Sequence, residues 1–293
     1  MDKKIFSENC NLSNYTTIKV GGVAEYFAEP RSIEEFLYLI EWANLNKQRC
    51  QIIGAGSNIL INSIFIKGLV ICTKKLKSLK IEPNSGIVEA EAGVMLPTLS
   101  NSLAKNGLQG GEWAVGIPGT LGGAIYMNAG TSNLSLAKNL ISVKVINNKT
   151  HEKLEVEKKD IKFEYRFSSF QNNDLVIISA KFHFEPNGNL EELIQTTKNN
   201  LKLKTETQPY HLPSFGSVFK NPKNSHAAKL IDDLGLKGFK IGGAEVSTMH
   251  SNFIINNSSA SSKDIYELIT VIQQKVLQKK RDLSTTRSKN GWF

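Results

Sequence analysis

The chain has 293 residues, of which 40% are hydrophobic and 22% are charged, and its formal net charge is +9. These values are typical of a globular protein with two or three structural units, so a disordered chain is not expected. No apolar run reaches the roughly 18 residues of a membrane span, and the first ten residues lack the apolar core of a signal peptide. We therefore expect a cytoplasmic protein that has no membrane partner.

The positive charge fits either a nucleic-acid-binding protein or a site for anionic substrates. Its basic residues are spread along the chain, with modest clusters at 74–80 and 279–281. No helix-turn-helix, zinc-finger or aromatic RNA-binding pattern accompanies them. We expect no nucleic-acid partner, and a nucleic-acid binder stays open as an alternative that rests on charge alone.

Three cysteines, Cys10, Cys50 and Cys72, lack the spacing of a metal site, and an odd number cannot all pair. A disulfide framework and a bound metal are therefore not expected. Cys50 and Cys72 lie in apolar, strand-like runs, which predicts buried and unreactive thiols.

In chain order, the first predicted helix begins at the capping box Ser32-Ile33-Glu34-Glu35 and ends near Asn46. A short buried strand, Gln51–Ile53, then runs into the glycine-rich turn GAGSN at 54–58. The elements predicted next are short strands at 69–72 and 87–91 and a helix at 97–106.

Residues 110–130 are dense in glycine and lack periodicity, which predicts a functional loop. A strand follows at 140–147, and a second strand runs from Leu175 to Phe184. In that second strand, Val176, Ile178, Ala180, Phe182 and Phe184 are expected to share one face. Beyond the break at 186–188 we expect a polar helix to about Lys204, a helix at 225–234, a strand at 252–256 and an apolar-striped helix at 262–280.

Two glycine-rich elements stand out. GAGSN follows a strand, as phosphate-binding turns do, but Ile59 stands where a Rossmann fingerprint needs glycine, and no Walker lysine pattern exists. A plain tight turn fits GAGSN as well. GIPGTLGG at 116–123 is denser, and ordering so much glycine favours a backbone that is pressed against a large flat ligand or a pyrophosphate. Together the two elements suggest a bound dinucleotide of unspecified kind.

Several stretches resemble the UDP-N-acetylenolpyruvoylglucosamine reductase family, in the order in which that family has them. They are NYTTIKVGG (14–22), GAGSNIL (54–60), GIPGTLGGAIYMNAG (116–130), YRFSSF (165–170), QPYHLPSFGSVFKNP (208–222) and AAKLIDDLGLKGFKIGGAEVSTMHSNFIIN (227–256). The short spacing between YRFS and GSVFKNP is similar to the subclass that lacks an extra loop over the substrate.

The resemblance implies an α+β protein. Its FAD-binding unit would have two subdomains of the vanillyl-alcohol-oxidase-like (PCMH-type) kind, followed by a C-terminal α/β substrate domain. Placed on this chain, the first subdomain is 1–73, the second is 74–187 and the substrate-binding domain is 188–293.

The resemblance also implies the activity. An enzyme of this family uses NADPH and non-covalent FAD to reduce UDP-N-acetylglucosamine enolpyruvate to UDP-N-acetylmuramate, a precursor of peptidoglycan. The residues that would hold FAD are Gly54, Ala55, Gly56, Ser57, Asn58, Gly116, Ile117, Pro118, Gly119, Thr120, Gly122 and Gly123.

By the same resemblance, Ser217 matches the family's proton donor, and Arg166 matches an arginine that stabilises the substrate carboxylate. The expected substrate contacts are Asn221, Lys237 and His250. Phe215 stands where the family usually has a small residue, and we expect it to reshape the entrance near Ser217.

The family's second catalytic acid, a glutamate near the C-terminus, has no counterpart here. Ungapped counting from the last helix puts Arg287 at its place, and anchoring on Leu283 puts Thr286 there. A non-catalytic or impaired flavin- or nucleotide-sugar-binding protein is therefore an alternative. A further alternative is another flavoprotein of the same fold, such as an oxidase with covalent flavin. Neither glycine element contains the His or Cys that such a link uses.

Overall fold

The computed structural model describes residues 5–131 and 134–280 of the chain. Its helices are α1 (Ile33–Leu45), α2 (Leu96–Lys105), α3 (Leu121–Tyr126), α4 (Leu190–Thr207), α5 (Ala227–Asp232) and α6 (Ser262–Lys280). Its strands are β1 (Phe6–Asn11), β2 (Val23–Ala28), β3 (Cys50–Ile53), β4 (Phe65–Cys72), β5 (Leu79–Glu82), β6 (Ile87–Glu91), β7 (Gly130–Thr131), β8 (Leu134–Ser135), β9 (Leu140–Asn147), β10 (Lys153–Glu157), β11 (Phe163–Glu164), β12 (Phe167–Ser168), β13 (Leu175–His183), β14 (Ser214–Ser217), β15 (Lys240–Ile241), β16 (Ala244–Val246) and β17 (Phe253–Asn256).

Most elements predicted from periodicity are confirmed. The strands predicted at 87–91 and 140–147 are β6 and β9, and all five predicted helices end within three residues of the expected positions. The cap of α1 forms as expected, because Ser32 Oγ accepts a hydrogen bond of 3.2 Å from Glu35 N. The Glu35 carboxylate in turn accepts a hydrogen bond of 2.7 Å from Arg31 N, which satisfies a further backbone amide just before the helix.

Two predictions of local structure are wrong. The segment 110–130 is not all loop, because its residues 121–126 form the short helix α3. The apolar residues of β13 also do not share one face. A bulge between Ile177 and Ser179 breaks the register with β9, so Ile178 joins a different apolar cluster from Phe182. An extra residue in one strand reverses the face of every residue that follows it.

The described residues form two compact units. Unit 1 contains 5–9, 25–55, 67–131 and 134–202, and unit 2 contains 10–24, 56–66 and 203–280. The three-part division at residues 73 and 187 stays a prediction.

Unit 1 contains an antiparallel five-stranded sheet in the order β10-β9-β13-β6-β5. A further sheet has the order β1-β2-β4-β3, in which β3 and β4 run parallel. The buried face of α1 contributes Phe36, Leu39 and Ile40 to one apolar cluster, to which strands of both sheets also contribute. This packing fixes the ends of β3 and β4, where the first glycine-rich element begins.

Unit 2 contains the antiparallel sheet β14-β17-β16-β15 and the long helix α6. The apolar stripe of α6 is buried as predicted, with each side chain at most 5% exposed: Ile265, Leu268, Ile269, Ile272 and Val276. The apolar core shared by α6 and this sheet therefore holds β14 and the residues that follow it in place.

Candidate functional site

The two glycine-rich elements meet in unit 1 at Gly54 and Thr120. A Cβ atom at Gly54, just after β3, would collide with Thr120 Oγ1, so a side chain fits there only if the Thr120 hydroxyl moves. Thr120 is 1% exposed, and its hydroxyl has no hydrogen-bond partner among the described residues. It stands at the N-cap position of α3 without capping the helix, which leaves a buried hydroxyl without a protein partner.

The second element is fixed to the turn that follows β6. Gly122 N donates to Ala92 O, and Leu121 N donates to Val94 O, both at 2.8 Å. A Cβ at Gly122 would stand 2.9 Å from Ala92 Cβ, closer than side chains pack. Gly122 is therefore needed for close approach of two backbones, whereas a Cβ at Gly123 would meet only Thr120 Oγ1, at 3.5 Å.

The end of β4 holds the start of GAGSN. Cys72 Sγ donates to Gly54 O at 3.4 Å, and Thr73 Oγ1 donates to Ile53 O at 3.3 Å. Burial raises the pKa of Cys50 to about 12 and that of Cys72 to about 11, so both thiols stay protonated near neutral pH. The prediction that these thiols are inert agrees with this; Cys72 is buried as predicted, whereas Cys50 is only partly buried. The sequence did not reveal the contacts of Cys72 and Thr73.

The rest of GAGSN belongs to unit 2. Gly56 has a left-handed φ of +64°, and a Cβ there would collide with Tyr15 O. Thr17 holds the Gly56 carbonyl with its amide at 3.1 Å and its hydroxyl at 3.3 Å. Thr17 lies in the NYTTIKVGG stretch, whose place in the family pattern was the available clue to this contact.

The geometry of unit 1 suits the pyrophosphate of a dinucleotide. Thr120 provides a buried hydroxyl without a partner among the described residues, Gly54 leaves room for that hydroxyl, and Gly122 allows close approach to the backbone at Ala92. An anionic group that accepts the Thr120 hydroxyl would satisfy it. The residues present therefore fit FAD.

Arg166 stands in a left-handed turn of unit 1, with φ +56°. Its guanidinium donates to two backbone carbonyls, from Nη1 to Asn128 O at 3.4 Å and from Nη2 to Gly130 O at 2.7 Å. Nε is buried without a partner among the described residues. Burial lowers the pKa of Arg166, and the neighbouring Tyr165 acts in the opposite direction. The guanidinium stays charged at this position.

Ser217 ends β14 in unit 2, next to Gly216, whose φ is +76°. A bulge between Ser214 and Ser217 in the pairing with β17 sets the direction of this residue. A Cβ at Gly216 would lie 3.9 Å from Ser57 O, so this turn and the second half of GAGSN are neighbours. Phe215 does not line an entrance, because its side chain is 1% exposed and lies in the core of unit 2.

The three expected substrate residues all lie in unit 2 and all have protein contacts. Asn221 Oδ1 accepts from Ala227 N at 3.0 Å and so supports the start of α5. Lys237 Nζ lies 3.2 Å from Asp232 Oδ1 in a solvent-exposed pair. His250 Nδ1 accepts from Asn252 N at 3.2 Å, which leaves its proton on Nε2.

Comparison with known proteins identifies the family. The model of the UDP-N-acetylenolpyruvoylglucosamine reductase C-terminal domain matches residues 208–282, and the model of an FAD binding domain matches residues 24–152. A UDP-N-acetylenolpyruvoylglucosamine reductase of Prochlorococcus marinus subsp. pastoris is 72% identical over 94% of this chain and 93% of its own length. The chain belongs to the UDP-N-acetylenolpyruvoylglucosamine reductase family.

Other members of the reductase family agree with this. A second reductase of that name, from Prochlorococcus marinus strain NATL2A, is 46% identical over 98% of both chains. The crystal structure of the reductase from Thermus caldophilus superposes with a TM-score of 0.81 at 28% identity and covers 97% of this chain and 98% of its own. The predicted fold class is confirmed, and so is FAD as the cofactor.

The matched ranges contain all the predicted FAD residues and four of the five other site residues. Arg166 lies outside both ranges. The roles of all these residues stay predictions. Residues 286 and 287, at which the family's second acid was sought, lie outside the described residues.

Among the described residues, no group of three or more His, Cys, Asp or Glu side chains could hold a metal ion. No helix of the described chain combines the length and the apolar character that crossing a membrane requires.

Proposed function

We propose that the protein reduces UDP-N-acetylglucosamine enolpyruvate to UDP-N-acetylmuramate with NADPH, as a step of peptidoglycan precursor synthesis. The observation that carries this proposal is the charged, half-buried Arg166 guanidinium, whose Nε has no partner among the described residues, in a chain of the reductase family. Because NADPH and nucleotide sugars are cytoplasmic metabolites, we place the reaction in the cytoplasm.

Thr120 and the glycines at 54, 56, 116, 119, 122 and 123 hold the FAD in this proposal. FAD, when bound, supplies the two-electron chemistry that joins NADPH to the enolpyruvyl double bond. Thr120 Oγ1 donates to a phosphate oxygen, which gives the buried hydroxyl its partner. The absence of a side chain at Gly54 leaves room for this hydroxyl, and the absence of one at Gly122 lets the start of α3 approach Ala92.

Arg166 binds the carboxylate of the enolpyruvyl group. Reduction of the double bond builds negative charge on the carbon next to this carboxylate and on the carboxylate itself. Two carbonyls already orient the guanidinium, so it needs no rearrangement when the charge develops. Partial burial strengthens the interaction, because less water screens it.

Ser217 Oγ donates the proton that completes the product at the carbon next to the carboxylate. A serine hydroxyl is a weak acid, so it protonates carbon only when it is aimed at a strongly basic centre. Gly216 and the bulge in β14 provide the fixed direction. Lys237 Nζ, the Asn221 amide and His250 Nε2 contact the diphosphate and sugar of the substrate.

The test is an anaerobic stopped-flow experiment on the FAD-loaded protein. Excess NADPH should bleach the flavin absorbance, and added UDP-N-acetylglucosamine enolpyruvate should restore it promptly. Ser217→Ala and Arg166→Ala should bleach at the wild-type rate and recover at least about a hundredfold more slowly.

Each outcome has a distinct meaning. Bleaching without recovery in the wild-type protein would contradict the proposed reaction and favour the non-catalytic alternative, which has no support in the comparisons. Equal slowing of bleaching and recovery in both variants would contradict the roles given to Ser217 and Arg166. Matched surface variants, Ser85→Ala and Arg31→Ala, should behave as wild type in both phases.

A further inference from the structure

Gln171 connects the arginine turn to the second glycine-rich element. Its Nε2 donates to Tyr126 O at 2.8 Å and to Arg166 O at 3.4 Å. The same nitrogen lies 3.6 Å from Met127 Sδ. One half-buried amide group therefore joins the last residue of α3 to the residue that carries the guanidinium.

The backbone that Gln171 holds is strained. Arg166 has φ +56°, a region that residues with a Cβ rarely adopt, and Asn128 has φ +43°, a conformation that asparagine adopts more readily. Arg166 and Asn128 are also linked directly, through the bond from Nη1 to Asn128 O. A strained turn keeps its conformation only when its surroundings fix it, and the Gln171 amide is one of the groups that do so.

We propose that Gln171 is a positioning residue, which keeps the Arg166 guanidinium aimed at the substrate carboxylate by fixing the Arg166 carbonyl to the end of α3. The inference rests on the proposed function, because it assumes that Arg166 binds the substrate. It assigns Gln171 no contact with the substrate or with FAD.

Ser168 distinguishes positioning from general support of the loop. Ser168 Oγ also donates to Tyr126 O, at 2.7 Å, but the structure gives it no bond to Arg166. Loss of the Ser168 side chain or of the Gln171 side chain removes one hydrogen bond to Tyr126 O. Only loss of the Gln171 amide releases the Arg166 carbonyl.

The experiment measures the two half-reactions of FAD-loaded Gln171→Met, which keeps the length of the side chain and removes the donor. We expect flavin bleaching by NADPH within about twofold of wild type. Recovery on addition of the enolpyruvyl sugar nucleotide should be about tenfold slower, as expected for loss of the hydrogen bond to Arg166 O. In an Arg166→Ala background the same substitution should slow recovery by less than about twofold, because the group it positions is gone.

A second variant provides a measurement, the pH dependence of recovery, that would not change if Gln171 had only a structural role. Gln171→Glu places a carboxylate against two carbonyls, and only its protonated form can donate. Recovery of this variant should therefore accelerate as pH falls towards the range of a glutamate pKa, relative to wild type at each pH. Gln195→Leu, on the exposed face of α4 with a single bond to Asn199, is the matched control.

The outcomes separate the two claims. Full recovery rate in Gln171→Met, equal slowing of both half-reactions, or an undiminished effect in the Arg166→Ala background would each overturn the positioning role. Unchanged recovery in Arg166→Ala alone would instead overturn the role proposed for Arg166, and with it the premise of this inference, whereas absent recovery in the wild-type protein would overturn the proposed reaction. If Gln171→Met does not fold, the pH profile of Gln171→Glu decides, and a profile parallel to wild type would count against positioning.

Discussion

Gly54 and Thr120 lie so close in unit 1 that no side chain fits at position 54 without displacing the Thr120 hydroxyl. The contact joins the residue after β3 to the residue before α3, 66 positions further along the sequence. The hydroxyl that would be displaced is the one we assign to an FAD phosphate. Packing and cofactor binding therefore depend on the same atom.

Substitution of Gly54 by alanine should weaken FAD binding by at least about tenfold, because the new methyl group pushes Thr120 Oγ1 away from the phosphate. The measurement is a fluorescence titration of the apo-protein with FAD. A variant that binds FAD like wild type would contradict the assignment of Thr120.

The double variant Gly54→Ala/Thr120→Ala separates the two roles of this contact. Without Oγ1, the nearest atom to the new methyl is Thr120 Cβ at 3.4 Å, an ordinary contact. The apo-protein should then regain the thermal stability that Gly54→Ala loses. FAD affinity should stay low, since the hydroxyl is absent.

Two substitutions of Arg166, by glycine and by alanine, should differ in stability but not in activity. Arg166→Gly relieves the left-handed strain at φ +56°, and Arg166→Ala keeps it. The glycine variant should therefore be more stable than the alanine variant by about 1 kcal/mol in urea unfolding. Both variants should lose the second half-reaction alike, and equal stability of the two would argue against strain at this turn.

The buried thiols should make stability fall at alkaline pH. Burial raises the pKa of Cys50 to about 12 and that of Cys72 to about 11, from an ordinary value of 9.0. The unfolded chain loses these protons first, so their contribution is fully present below about pH 9 and is lost as the pH rises towards the folded values. Each thiol can lower the free energy of unfolding by up to about 1.4 kcal/mol per pH unit in that window.

Comparison of wild type with Cys50→Ala/Cys72→Ala isolates this effect. Urea unfolding in the presence of a reductant, at several values between about pH 8 and 11, gives the two slopes. The variant should be less stable at the lower end, because it loses packing, and its stability should fall less steeply. Parallel slopes would show that the thiols do not contribute.

Lys237→Ala should act on the substrate rather than on stability. Its bond to Asp232 is exposed on both sides, and such pairs contribute at most about 1 kcal/mol. We expect a KM for the sugar nucleotide raised about tenfold, with a weaker dependence of KM on salt, because one charge no longer meets the diphosphate.

Lys229 offers the matched control, because it forms a similar exposed pair with Asp233 at 3.4 Å. Steady-state kinetics of Lys229→Ala at the same ionic strengths should match wild type. A similar rise in KM for both variants would indicate a general electrostatic effect and would contradict the proposed contact between Lys237 and the substrate diphosphate.

Much of this protein is determined by local sequence. The capping box at Ser32, the strand at 140–147 and the stripe of α6 depend on neighbours within a few positions, and each predicted element is present. The glycine density of 116–123 indicated a backbone close to a ligand, because few other roles require so much conformational freedom. Combined with the family motifs, this was enough to identify the reductase family and FAD.

Only the tertiary structure decided which distant groups meet. Local periodicity does not encode the partners on which three features depend: the bulge at Ile178, the burial of Phe215 and the hydrogen bond from Gln171 to Arg166 O. Thr120 was predicted to bind FAD, but its unpartnered hydroxyl became visible only when Gly54 was placed beside it. Local propensity specifies the helices and strands, whereas pairings across the fold arise from packing between segments that are remote in the chain.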